Sequence, residues 1–169
     1  MNSAVQPRKA DLLTDASRGQ IDAWLKKYPD DQKQSAVLGA LQVAQEQNGG
    51  WVTRELMDAV ADYLGLPPVL VYEVGTFYSM IELEPVGRNM VAVCTNISCM
   101  LCGAGTIVEH VEKKLGIRLG ETTPDGRITL KLEEECLAAC AGGPMMTVNG
   151  HYHEKLTPEK VDEILDGLE

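Results

Sequence analysis

Apolar residues in the first half of the chain recur at the spacing of helix faces. Ile21, Trp24, Leu25 and Tyr28 fall at i, i+3, i+4 and i+7, and Val37, Leu38, Leu41 and Ala44 repeat the pattern. That separation stacks side chains along one side of a helix. Gly49-Gly50 ends the second helix, because glycine tolerates the left-handed turn that follows a helix end. Thr53 is the expected N-cap of a third helix whose buried face is Leu56, Met57, Val60, Ala61 and Leu64. Gly65 and Pro67-Pro68 close it, and a fourth helix runs through Val71, Val74, Phe77, Tyr78 and Ile81. Residues 1–84 hold no Cys and no His, so this half reads as an N-terminal helical bundle for docking or packing.

The periodicity changes after Glu84-Pro85-Val86-Gly87, a break rich in turn-forming residues. Met90-Val91-Ala92-Val93 is a short apolar run suited to a buried strand. Ala104, Val108, Val111 and Leu115 mark a helix, with Glu109 four residues before Lys113 for a supporting ion pair. Asp125-Gly126 is a turn, and Ile128, Leu130 and Leu132 alternate as a half-buried strand. Met146-Thr147-Val148 runs into Asn149-Gly150, the signal for a type I′ hairpin turn, and Tyr152 lies on the return strand. Thr157-Pro158 opens a last helix with Val161, Ile164, Leu165 and Leu168 on its apolar face. Residues 85–169 therefore form a second domain of strands covered by helices, with the first strand crossing over through a helix to a parallel partner. The fold class expected is α+β or α/β.

Net charge is −10, which argues against nucleic acid, since gripping the phosphate backbone takes clustered Lys and Arg. It also argues against adsorption to an anionic membrane surface. No apolar run is long enough to span a bilayer. Met1 to Lys9 lacks the apolar core of a signal peptide, so a cytoplasmic protein with reduced thiols is expected, and five cysteines there point to metal or redox chemistry.

All five, Cys94, Cys99, Cys102, Cys136 and Cys140, lie in the second half. Cys94 ends the first strand and Cys99 starts the following helix. Cys136 follows the strand expected over Arg127–Leu132, and Cys140 precedes the Met146 strand. A [2Fe–2S] cluster needs two thiolates on each iron. C-x4-C at Cys94/Cys99 and C-x3-C at Cys136/Cys140 supply two such clamps, leaving Cys102 as a small buried thiol. Cys94-x4-Cys99-x2-Cys102 also fits the start of a plant-type ferredoxin, with one distal Cys as fourth ligand. Cys99-Met100-Leu101-Cys102 further reads as a C-x-x-C dithiol, and a structural zinc site on four Cys has compatible spacing. Neither loop carries Lys or Arg. The charge of a thiolate cluster would then be offset by backbone N–H groups, which Gly103, Gly105, Gly142 and Gly143 let approach, and by the helix N-terminus after Cys99.

These residues resemble a known family, the small thioredoxin-like [2Fe–2S] subunit of the proton-pumping NADH:quinone oxidoreductase, respiratory complex I. The likeness is carried by Val93-Cys94-Thr95-Asn96-Ile97-Ser98-Cys99-Met100-Leu101 and by Cys136-Leu137-Ala138-Ala139-Cys140 with Gly143-Pro144-Met145-Met146-Thr147-Val148-Asn149. Gly50-Trp51-Val52, Glu73-Val74-Gly75-Thr76-Phe77-Tyr78 and Thr123-Pro124-Asp125-Gly126-Arg127-Ile128-Thr129-Leu130 support it. The resemblance implies a thioredoxin-like [2Fe–2S] ferredoxin domain after the helices, with Cys94, Cys99, Cys136 and Cys140 as cluster ligands. The sequence departs from the family pattern at Cys102, where Arg is common, at Ala138, where Gly is usual, at Ser98, where Pro is common, and at Ile128, where Phe is usual.

The resemblance also implies a function. The chain would be an electron-transfer subunit with no catalytic residue of its own, carrying one [2Fe–2S] cluster. Its partner would be the flavin-bearing subunit, which holds FMN and binds NADH, together with other peripheral-arm subunits on the inner face of the membrane. The residues agree on one point: Gly103-Ala104-Gly105 has Val108 where a dinucleotide fingerprint needs its third glycine. A homologous subunit of an NAD-linked hydrogenase or formate dehydrogenase, a zinc-stapled interaction protein and a Cys99/Cys102 thiol oxidoreductase are the alternatives. Trp24, Trp51, Phe77 and Tyr78 are expected to fill the helical core, with a docking role as second reading. His151 and His153 are expected as a solvated pair on an edge hairpin, His110 as helix surface, and Glu133-Glu134-Glu135 as a solvated turn.

Overall fold

The computed structural model describes residues 9–132 and 136–169, so the Glu133–Glu135 run lies outside the described residues. The chain divides into two compact units, Met1–Pro85 and Val86–Glu169.

The first unit contains α1 (Asp15–Leu25), α2 (Val37–Gln47), α3 (Arg54–Leu64) and α4 (Pro68–Phe77), with 3-10 turns at Lys9–Leu12 and Lys33–Ala36. Local chemistry sets the ends. The Thr14 and Thr53 hydroxyls accept from the N–H groups of Ser17 and Leu56, each at 3.1 Å, satisfying donors a helix start leaves bare. Gly65 closes α3 in the left-handed conformation, at φ 69°. Ile21, Val37, Leu41, Ala44, Val60, Leu64 and Val71 form the core, with Trp24, Leu25 and Leu38 packed partly buried against it. A Cβ on Gly39 would collide with the Trp24 ring, so the missing side chain lets the indole lie on α2.

The fourth helix corrects an expectation. It ends at Phe77, and Tyr78 is already extended. Its buried stripe runs through Val71 and Gly75, where a Cβ would meet Met57 Sδ at 3.0 Å. That close approach turns Phe77 outward, 79% exposed, with Tyr78 at 38%, while Ile81 folds back into the core. Phe77 and Tyr78 stack edge to face on the surface and do not fill the core.

The second unit contains β1 (Asn89–Val93), α5 (Ile97–Leu101), α6 (Ala104–Leu115), β2 (Ile128–Leu130), β3 (Met146–Val148), β4 (His151–His153) and α7 (Pro158–Asp166). The sheet order is β2-β1-β3-β4. β1 pairs parallel with β2, Val91 opposite Leu130, and antiparallel with β3, Val93 opposite Met146. Val91, Val93, Ile128, Leu130, Met146 and Val148 share one core with Ile107 and Val111 of α6 and Val161 and Leu165 of α7. His110 Nε2 lies 2.8 Å from Asp162 Oδ1, and Lys114 reaches Asp162 and Asp166 at 3.3 and 2.8 Å. His110 thus links α6 to α7 and is more than bare surface. Among the described residues, the α6 ion pairs run from His110 and Lys114 to α7 and from Glu112 to Arg118, not from Glu109 to Lys113. Asn149 and Gly150 both have positive φ, 51° and 80°, as a type I′ turn requires.

Two strand-level expectations change. β2 spans three residues that are all buried, and Leu132 lies beyond it at 63% exposure. Thr129 is buried because its hydroxyl is satisfied by the Gly87 N–H at 2.6 Å and by Thr122 at 2.7 Å, so the face that alternation assigned to solvent is covered. Cys99 sits inside a separate short helix, α5, broken from α6 at Gly103, which has φ 93°.

Gly39→Val is expected to lower stability by about 1–3 kcal/mol, because the Trp24 ring must move off α2. Urea unfolding followed by tryptophan fluorescence measures it.

Candidate metal-cluster site

The strand pairing brings the cysteines together. Cys94 follows β1, and its N–H continues the ladder by donating to the Met145 carbonyl at 3.0 Å. Asn96 caps α5 in extended conformation, and α5 carries Cys99. Cys140 opens the 3-10 turn Cys140–Gly142 just ahead of β3. A cavity of about 170 Å³ results, lined by Cys94, Asn96, Ile97, Ser98, Cys99, Cys136 and Cys140. One water needs only ~10–15 Å³, so a four-atom inorganic core has room. Cys102 does not line the cavity. It is exposed and lies against Gly143 at the end of α5, which corrects the expectation of a buried thiol.

The four lining thiols differ in burial. Cys94 and Cys99 are each 2% exposed, whereas Cys136 and Cys140 are exposed. Burial raises the Cys94 thiol. It is outweighed by hydrogen bonds from the Asn96 N–H, the Cys99 thiol, the Leu137 N–H and the Asn96 side chain, so Cys94 ends below its ordinary value. Cys99 is pushed up to about 11, first by burial and then by giving its hydrogen bond to Cys94 and facing its charge; Cys140 adds to the rise and the Met145 N–H opposes it. Asn96 Nδ2 lies 3.9 Å from Cys94 Sγ.

These donors correct the sequence reading. The N–H groups that reach the inner thiols belong to Asn96, Leu137 and Met145, not to glycines. A Cβ on Gly105 would meet nothing within 4 Å, and Gly142 packs on the Glu154 side chain. Gly143 alone of the four glycines lies against the site, with the Cys99 and Cys102 sulfurs each 3.5 Å from where its Cβ would be.

The distal loop is held from the far side of the sheet. Tyr152 on β4 donates its hydroxyl to the Leu137 carbonyl at 2.9 Å. The Lys155 and Leu156 N–H groups donate to the carbonyls of Gly142 and Pro144 at 2.6 and 2.9 Å. Sequence reading placed Tyr152 on the return strand but not against the distal loop, because nothing local in the sequence ties residue 152 to residue 137. His151 is exposed and His153 half-buried on β4, where burial, then the charges of Lys160 and His151, lower the His153 pKa.

Chemically, a pair of buried thiols beside a pair of exposed ones, with N–H donors and no cation, suits a thiolate-rich inorganic cluster. A two-iron core asks only for two thiolates on each metal.

Residues 21–169 match the family described as thioredoxin-like [2Fe-2S] ferredoxin. The chain belongs to this family. Among its relatives, a protein of Rickettsia bellii named as a subunit of NADH-quinone oxidoreductase is 45% identical, over 85% of this chain and 86% of that protein. The mitochondrial NADH dehydrogenase [ubiquinone] flavoprotein 2 of Dictyostelium discoideum is 44% identical over 88% of this chain, which spans 60% of that relative's length. A solved NAD+-reducing [NiFe]-hydrogenase, in the air-oxidized state, superposes with a TM-score of 0.63 at 18% identity, over 77% of this chain and 22% of that one. At that identity the likeness is one of fold. The thioredoxin-like ferredoxin fold, mixed in helix and sheet, is therefore shared across these proteins.

Ala138, between the distal cysteines, has φ 56°, the left-handed region that favours glycine. Ala138→Gly is expected to raise stability by up to about 1 kcal/mol with iron content unchanged, as read by urea unfolding and iron assay. Tyr152→Phe frees the distal loop. It is expected to speed loss of the visible chromophore in chelator several-fold while leaving helix content by circular dichroism unchanged.

Proposed function

We propose that this chain is the electron-transfer subunit of an NADH:quinone oxidoreductase of the complex I type, and that Cys94, Cys99, Cys136 and Cys140 hold its one [2Fe–2S] cluster. The observation that carries the ligand set is the shared cavity, which takes in these four thiols and leaves out Cys102. When bound, the cluster accepts and gives up single electrons. The chain's own residues do the rest. Cys94 and Cys99 anchor the inner side from β1 and α5, and Cys136 and Cys140 close the outer side. The N–H groups of Asn96, Leu137 and Met145 favour the thiolate charge that no Lys or Arg is present to balance.

NADH gives up two electrons at once, so a flavin on another subunit has to divide them. The partner would be the FMN- and NADH-binding subunit. The surface around the cavity suits such a partner: Ile97, Met100 and Leu101, all on α5, are 74%, 57% and 78% exposed. Apolar side chains clustered beside a redox site mark a docking surface and keep water from the gap. In the first unit, Val69, Phe77, Tyr78, Met80 and Leu83 are also exposed, fitting contact with further subunits of the peripheral arm. No helix among the described residues is long and apolar enough to cross a membrane. The chain would sit on the cytoplasmic face of the membrane through its complex.

The hydrogenase likeness keeps one second reading, the equivalent subunit of an NAD-linked hydrogenase. The higher identity to relatives named as NADH-quinone oxidoreductase subunits favours the first.

The test is metal analysis of anaerobically purified protein. About two irons and two acid-labile sulfides per chain are expected, with a spin-half EPR signal on dithionite reduction. Serine at 94, 99, 136 or 140 should abolish or alter that signal, and Cys102→Ser should leave it unchanged. A colourless protein with one zinc would overturn the assignment.

A further inference from the structure

Cys102 is exposed and takes no part in the cavity, yet it stands beside a proposed ligand. It closes α5, and its N–H donates to the Cys99 carbonyl at 3.1 Å. That i→i+3 bond places residues 99 and 102 on the same side of the last turn. Both sulfurs lie 3.5 Å from the one point that a Cβ on Gly143 would occupy, so they are no more than twice that distance apart. Because Gly143 has no side chain, nothing from that residue separates them. On a helix, i,i+3 positions have Cβ atoms roughly 5–6 Å apart. A disulfide needs roughly 3.5–4.5 Å, so forming the bond requires the turn that Cys102 caps at the end of α5 to tighten.

We propose that Cys99 and Cys102 form a thiol–disulfide pair in the cluster-free chain, with a small-molecule disulfide of the glutathione type as oxidant, and that the bond withholds Cys99 from cluster loading. The proposal rests on Cys99 being a cluster ligand. Exposed Cys102 attacks the small disulfide, forming a mixed disulfide and releasing one small thiol. The Cys99 sulfur then attacks the Cys102 sulfur of that mixed disulfide, forming the Cys99–Cys102 bond and releasing the second small thiol. The two protein thiols lose two electrons, the small disulfide gains them, and the two protons leave on the released thiols. With the cluster in place Cys99 is committed, and the reaction stops at the adduct on Cys102.

The test uses the full chain, reduced and cluster-free or reconstituted with iron and sulfide, incubated with oxidised glutathione, quenched with a maleimide and read by fragment-ion mass spectrometry. In the cluster-free chain a Cys99–Cys102 bond is expected, with loss of both thiol hydrogens. The oxidised chain should fail to take up iron until a dithiol reductant is added. The reconstituted chain should carry a persistent adduct at Cys102, and Cys102→Ser should load normally after the same treatment. A bond at Cys94–Cys99 or Cys136–Cys140, a lasting adduct at Cys102 in the cluster-free chain, or normal iron uptake by the oxidised chain overturns the proposal. Failure of the untreated, reduced chain to bind iron would instead count against the ligand reading, and the fragment ions would still judge the disulfide.

Discussion

The mixed pairing of β1 is the constraint on which the site depends. Parallel to β2 and antiparallel to β3, this strand lies between two neighbours whose directions differ. The end of β1, the end of β2 and the beginning of β3 therefore meet at one edge of the sheet. The chain leaves β1 into Cys94, leaves β2 toward Cys136, and passes Cys140 just before β3. Two loops distant in sequence open side by side because hydrogen-bond direction leaves them no other place. With β2 reversed, the chain would leave it at the opposite end of the sheet, away from Cys140 and the start of β3. The core of Val91, Ile128, Val148, Val111 and Val161 matters to function chiefly by holding that pairing in register.

A second constraint is electrostatic. Buried thiolates repel one another and are costly away from water. The usual remedy, a nearby Lys or Arg, is missing from the lining residues. Backbone N–H groups take its place, and their contribution depends on a backbone held still. Those of Asn96, Leu137 and Met145 are fixed by a helix cap, by the Tyr152 hydroxyl on the Leu137 carbonyl, and by the strand ladder at Cys94. Rigidity and charge compensation are one requirement here.

Much of this was legible in the sequence. Periodicity located the helices of the first half and α6 and α7, and Thr53, Gly65 and Asn149-Gly150 marked caps and a turn by local chemistry that needs no tertiary help. The spacing of the cysteines narrowed the ligand set without settling it, and only resemblance chose among the pairings. What stayed hidden depended on contacts between distant residues. Phe77 matched an apolar stripe, but the close approach of Met57 to Gly75 decided which way the helix faced. Leu132 continued an alternation that the sheet did not follow. Glycines looked like the source of free N–H groups, yet the donors come from Asn96, Leu137 and Met145. Cys102 looked like core and is exposed because α5 ends there.

The ties from Tyr152, Lys155 and Leu156 to the distal loop also bear on timing. The inner half of the pocket, from Val93 to Cys99, waits on Met145, whose carbonyl accepts from the Cys94 N–H. The outer half waits on residues further along still, which claim its carbonyls. During synthesis a nascent chain ending soon after Cys140 would own every thiol and still lack the vessel that gathers them. The site is therefore complete only once the chain through Leu156 is in place, well past the last cysteine.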